Sequence, residues 1–170
     1  MKPDLKAIPF KGVRLTASTP MAFDDVLGRL RTLLGKASFG ELITLAHEPI
    51  SEAEFVDEVQ RRFVGESGFM LFVELDHGGW LSRFDLERRT VRWILGNPLI
   101  AITMMRHDIT AGLFAPVEIL ITENVDRDGA TLTYVRPSSL IVVDDNPSLE
   151  EAARNLDAKL DLLIAHATNL

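Results

Sequence analysis

Residues 90–136 read TVRWILGNPLIAITMMRHDITAGLFAPVEILITENVDRDGATLTYVR, and the order of elements in this stretch decides the fold. TVRWIL alternates apolar and polar positions with the period of a strand. Gly96-Asn97-Pro98 then breaks the run, with Asn97 suited to cap a helix and Pro98 suited to its first position. That helix extends through about residue 107. VEILITENV and ATLTYVR alternate again, and the DRDG between them has the composition of a hairpin turn. Strand, helix and hairpin in succession indicate an antiparallel or mixed sheet rather than repeated βαβ units.

The flanks extend this pattern. Val13, Leu15 and Ala17 alternate with Arg14, Thr16 and Ser18 as in a half-buried strand. A helix follows, with Thr19 as cap and Pro20 at its first position; Phe23, Val26, Leu27, Leu30, Leu33 and Leu34 form its apolar stripe, and Gly35 ends it. Ser51 and Glu54 make a capping box, Ile50 and Phe55 a hydrophobic staple, and a helix is predicted over 52–64. FMLFVELD, residues 69–76, predicts a strand with Phe69, Leu71, Val73 and Leu75 on one face. For HGGWLSRFDLE two readings stay open, a short helix over 78–85 started by Asp76 or a Gly78-Gly79 hairpin; we favour the helix. In the last segment, Ser148 and Glu151 suggest a capping box before a long helix whose stripe includes Leu149, Leu156, Leu160 and Leu163. The expected fold is α+β, one domain over 1–170, with helices packed on one face of the sheet.

Composition limits what the domain does. The chain has 170 residues, 46% hydrophobic and 25% charged, with a formal charge of −7; its pI is near 5.1 and its mean hydropathy +0.11. Such a chain folds as a compact globule. The longest basic runs are the pairs Arg61-Arg62 and Arg88-Arg89, so nucleic acid is not an expected partner. With no cysteine, disulfides, Cys-based zinc sites, iron-sulfur clusters and thiol nucleophiles are excluded. MKPDLKAIPF lacks the apolar core of a signal peptide and no apolar run approaches membrane-spanning length, so we expect a cytoplasmic protein with no membrane partner.

Two places could carry chemistry. On a helical wheel from Leu99, Ala101, Ile102 and Met105 point one way, while Thr103, Arg106 and His107 share an arc of about 100° on the other. As a ligand-binding wall, Arg106 would hold an anion, His107 would exchange a proton and Thr103 would guide by hydrogen bonding. A helix C-terminus attracts Arg and His without any ligand, and we rank that reading first. In ELDHGGW, Asp76 beside His77 invites an acid/base reading, with Trp80 as an aromatic wall. Asp76 as a cap and Trp80 as core filler is the simpler account, since neighbours on a strand point to opposite faces. The four histidines, His47, His77, His107 and His166, lack the spacing of a metal site, and Met104 and Met105 are better core filler than haem or copper ligands. No metal or other cofactor is expected. No G-x-S-x-G or phosphate-loop motif occurs.

Arg14, Glu74, Arg92 and Glu118 stand opposite the apolar strand positions, which suggests one solvated face with both signs. Leu113 and Phe114, in the apolar connector ITAGLFAP, are the expected self-association element.

The segments TASTPMAFDDVLGRLRTLL, FMLFVELDHGGW, RWILGNPLIAITMMRHDITAGLFAPVEILITEN and DDNPSLEEAARNLDAKL, in that order, resemble the proteins grouped as domain of unknown function 302. The resemblance covers about residues 13–36 and 68–168. It is most specific at Asn97-Pro98 and Ala115-Pro116. It implies a TATA-binding-protein-like curved sheet with helices on one side and a homodimer, and it implies no activity. Residues 37–67 look like an insertion relative to shorter members. Many members carry a cysteine where this chain has Gly96, so a thiol chemistry could not operate here. The resulting expectation is a non-catalytic homodimeric module that binds a small apolar or amphipathic ligand, with Trp80, Asn97, Thr103, Arg106 and His107 as the site. The alternatives are an enzyme using His77, His107, Arg106 and Asp76, or a protein-interaction domain presenting an apolar patch on the 52–64 helix.

Overall fold

The computed structural model describes residues 3–36, 38–126 and 128–169. Met1 and Lys2 of the N-terminal stretch, Ala37 at the start of the 37–67 segment, Arg127 in the hairpin turn and Leu170 lie outside them.

Alternating side chains build six strands: β1 (Arg14–Thr19), β2 (Gly35–Lys36), β3 (Met70–Asp76), β4 (Thr90–Gly96), β5 (Val117–Glu123) and β6 (Ala130–Val135). Their order across the sheet is β1-β6-β5-β4-β3-β2. All neighbours are antiparallel except β2 and β3, which makes the sheet mixed as expected. Between the strands run α1 (Phe23–Leu33), α2 (Phe39–Ala46), α3 (Glu52–Arg62), α4 (Gly78–Leu81) and α5 (Pro98–Met105), and after β6 come α6 (Ser138–Ile141) and α7 (Pro147–Thr168).

The register sets Val91, Trp93 and Leu95 beside Ile121, Ile119 and Val117, with Leu132 and Tyr134 next in line. These side chains meet Phe23, Val26, Leu27 and Leu30 of α1 and Leu156, Leu160, Leu163 and Ile164 of α7 in one core. Burying one face of the sheet against two amphipathic stripes is what stabilises an α+β layer. A second, smaller core joins Leu45 of α2, Val59 of α3, Phe63 at the end of α3, and Met70 of β3. Ile50 and Phe55, the predicted staple, pack against it. Val73, Ile94, Leu120 and Val135 belong to neither core.

Several local expectations are corrected. A β-bulge between Leu71 and Val73 breaks the alternation of β3, so Leu71 aligns with Leu95 while Glu74, rather than Val73, aligns with Trp93. Glu74 therefore leaves the face of Arg92 and Glu118 and is bound at 2.8 Å by Arg31 of α1. Arg92 and Glu118 do pair with each other across the strands. α1 begins at Phe23 with no side-chain cap. Thr19 instead donates to the carbonyl of Thr168 at 3.0 Å and accepts from the Met21 amide at 3.2 Å. The cap of α7 is Asn146, whose side chain accepts from the Leu149 amide at 3.1 Å; Pro147 takes the first helical position and Ser148 lies inside the helix. The Ser51–Glu54 capping box forms as read, and α4 resolves the Gly78-Gly79 ambiguity in favour of a helix. α2, capped by a Ser38–Glu41 box, and the two-residue β2 were not anticipated.

Candidate functional site

The predicted ligand-binding residues do not converge. Thr103 donates to the Ile100 carbonyl at 2.7 Å and Arg106 Nε to the Ile102 carbonyl at 3.3 Å, so both turn back on their own helix. His107 lies two residues beyond α5, is exposed, and its carbonyl accepts from Asn146 Nδ2 at 3.4 Å. Trp80, read as core filler or a pocket wall, is 50% exposed. Its indole N–H donates to His77 Nδ1 at 3.3 Å, and Asp76 accepts from the Gly79 amide at 2.9 Å.

His77 and His107 stand at opposite ends of the molecule. His77 donates its amide to Thr90 at the start of β4, at 2.9 Å. That edge of the sheet also holds Thr19, which bonds the C-terminus of α7. His107 sits beside Asn146 at the other end of α7. A helix of 22 residues is about 33 Å long at 1.5 Å per residue, far beyond hydrogen-bonding reach. The structure does not assemble a His77–His107–Arg106 constellation. Among the described residues, no group of three His, Asp or Glu side chains is arranged to hold a metal.

Asn97 is the exception. It is buried, and its side chain accepts from the Leu99 amide at 2.8 Å while donating to the Gly68 carbonyl at 2.9 Å. It thereby caps α5 and ties that helix to the approach of β3. It also lines a cavity of about 180 Å³ where the two cores meet.

Six elements of the fold contribute to this cavity. Phe69 and Phe72 come from the start of β3, Gly96 ends β4, and Ile100, Ala101 and Met104 face it from α5. Ala115, Pro116 and Val117 line it at the entry to β5, and Leu156 of α7 reaches it from the main core. Phe39 and Leu42 of α2 supply the outer wall. Phe39 stacks on Phe72 with ring centroids 4.5 Å apart and planes 13° from parallel. At 43% exposure, Phe39 stands at the mouth. Among the described residues, Asn97 is the only polar side chain in the lining, and none is charged. The sequence reading placed its candidate residues on the polar facet of α5, whereas the cavity is lined by apolar residues of that helix. The Ser38–Glu41 pair was a legible signal for α2, whereas nothing local indicated that Phe39 would meet Phe72.

A wider, polar cleft of about 690 Å³ lies near the His77 end, between α1, α4 and the ends of β3 and β4. Its arginines are engaged: Arg31 with Glu74, Arg89 with Asp24, and Arg88 with the Glu123 carbonyl at 2.7 Å. The Arg89 guanidinium hydrogen-bonded to Asp24 holds that carboxyl below its usual range.

The outer surface of α3 does not present the apolar patch that an interaction reading requires. Val59 and Phe63 are buried, Phe55 packs on the second core, and the exposed apolar residues of α3 are the small Ala53 and Val56. On the connector, the 3-10 helix Ile109–Phe114 leaves Leu113 79% exposed, while Phe114 packs edge-on against Phe10 with centroids 5.8 Å apart.

Comparison with known proteins agrees with the fold. Among solved structures, the crystal structure of an uncharacterised conserved DUF302 protein from Bacillus stearothermophilus superposes with a TM-score of 0.63 at 14% identity, over 91% of this chain and 97% of that one. No curated protein matches. The model of the family described as "Domain of unknown function DUF302" matches residues 45–167, which takes in α3 as well as the sheet from β3 onward and α7. This chain therefore belongs to the DUF302 family.

Proposed function

We propose that this domain is a homodimeric binding module for a small apolar ligand, held in the cavity between α2, α5 and the ends of β3 and β4. The observation that carries the reading is the cavity itself, walled by side chains from both cores and open beside Phe39. Well-packed interiors leave few voids larger than a water molecule. A space of about 180 Å³ that reaches the surface next to a separately capped helix is the feature packing alone does not require. The lack of any charged lining group favours an apolar occupant, because a buried charge without a partner is strongly disfavoured.

Two surfaces support self-association. Leu113 and Ile109 project from the connector, and Val73, Ile94, Leu120 and Val135 lie outside both cores. Apolar side chains gathered in this way mark an interface more often than an idle surface.

Native mass spectrometry on protein purified from its own host tests both parts at once. The expected result is a dimer carrying a discrete small added mass. A bare monomer that takes up no ligand would overturn the proposal.

A further inference from the structure

We infer that the ligand of this cavity is an uncharged single-ring aromatic compound, and that Gly96 is the residue that sets that size. The inference rests on the binding-module reading and narrows it.

Volume comes first. An apolar cavity of about 150 Å³ stays dry and accepts benzene, so the about 180 Å³ here suits one ring with a small substituent. A fused ring system, a nucleotide or a long acyl chain would not fit inside and would have to project through the open side at Phe39. The walls then select among compounds of that size. Phe39, Phe69 and Phe72 present aromatic surface, and Met104 presents a thioether. Ring edges and faces, and sulfur against a ring, attract beyond simple area burial, which favours an aromatic body over a saturated one of equal volume. Both hydrogen bonds seen at the Asn97 amide go to the protein itself. Recognition therefore rests on shape and ring contacts.

Gly96 has a specific part in this. Its φ does not lie in the left-handed region, so the backbone does not call for glycine. A Cβ at this position would stand 3.1 Å from Phe72 Cε2 and 3.1 Å from Pro116 Cβ, and both residues line the cavity. A side chain here would take up cavity space or displace Phe72, and Phe72 carries the Phe39 stack at the mouth. The absent side chain is what leaves room for a ring.

The test titrates the full-length protein with toluene and with methylcyclohexane, two probes with the same number of carbons, using ligand-observed NMR. Thermal melting of each protein is followed in parallel. Saturable toluene binding at least tenfold tighter than methylcyclohexane is expected, together with at least a tenfold loss of toluene affinity in Gly96→Ala that leaves the fold intact. Equal affinity for the two probes would overturn the aromatic assignment and leave the binding-module reading in place. Undiminished toluene binding by folded Gly96→Ala would overturn the role of Gly96. Failure of the wild-type chain to bind either probe would overturn the ligand reading as well. Ala101→Val removes volume from the α5 wall without touching the strand. It is expected to weaken toluene too, and unchanged affinity there would refute the cavity as the binding place even if Gly96→Ala did not fold.

Discussion

Phe39 of α2 lies nearly flat on Phe72 of β3, with ring centroids 4.5 Å apart, and this stack is where the 37–67 segment closes over the cavity. Stacked aromatic pairs contribute about 0.5–1.5 kcal/mol beyond area burial. Phe39 is 43% exposed, so its truncation costs less than the 3–5 kcal/mol typical of a core Phe→Ala change. Phe39→Ala is expected to lower stability by about 1–2 kcal/mol in urea denaturation. The same variant is expected to speed probe dissociation, because the mouth of the cavity loses its outer ring.

Asn97 performs two tasks that substitution can separate. Losing a cap costs about 0.5–2 kcal/mol, and a buried carbonyl left without a donor adds about 1–3 kcal/mol. Asn97→Ala removes both and is expected to destabilise by about 2–4 kcal/mol. Asn97→Asp keeps the acceptor for Leu99 but loses the donor to Gly68. Its loss at neutral pH is expected to combine the missing donor to Gly68 with the cost of burying a carboxylate there, while the cap of α5 is kept. Equal stability of Asn97→Asp and wild type in denaturant melts would contradict that division.

Trp93 is fully buried, and its indole N–H has no hydrogen-bond partner among the described residues. An orphaned buried donor costs about 1–3 kcal/mol, which offsets part of what the ring contributes by packing. Trp93→Phe is therefore expected to be tolerated within about 1 kcal/mol, whereas Trp93→Ala should cost about 3–5 kcal/mol. Chemical denaturation of the pair distinguishes the two contributions.

Tyr134 links the sheet to α7 by donating its hydroxyl to Asp161 at 2.7 Å. Burial first, and then this hydrogen bond, raise its pKa above the usual 10.0. With the folded value above the unfolded one, the contribution is fully present below pH 10 and is lost as pH rises toward the folded value. Melting temperature is expected to fall between about pH 10 and 11 in the wild type. Tyr134→Phe should show lower stability at neutral pH and a shallower alkaline decline, and identical pH profiles would refute the assignment.

Ser51 and Glu54 close a reciprocal cap on α3, with the Ser51 amide donating to Glu54 at 2.8 Å. The bonds from the Ser51 amide and hydroxyl hold the Glu54 carboxyl below its usual range. The stability it contributes is present above the unfolded pKa and fades as pH falls through the folded value. Ser51→Ala is expected to cost about 1 kcal/mol at neutral pH, and the difference from wild type should shrink on acidification.

Much of the architecture was legible because it is encoded between near neighbours. The stripes of α1 and α7, the alternation of β4, β5 and β6, the Ser51 cap and the Asn97-Pro98 start of α5 depend on residues within a turn or two of each other. Where two local signals competed, tertiary contacts decided. Thr19 was free to cap α1 but bonds Thr168 instead, and Ser148 yielded the α7 cap to Asn146. The bulge in β3 turned Glu74 toward Arg31, which no alternation rule anticipates.

The sequence by itself determined the α+β class, most of the helices and strands, the absence of thiol chemistry and the Asn97-Pro98 start of α5. Only the tertiary structure decided that Thr103, Arg106 and His107 stay apart from the cavity and that Trp80 is half exposed. It also decided that the cavity falls among Phe39, Phe72, Gly96, Met104, Pro116 and Leu156. The physical reason is range. Periodicity and capping express the geometry of one element, whereas a cavity is the volume left when elements distant in sequence fail to fill the space between them.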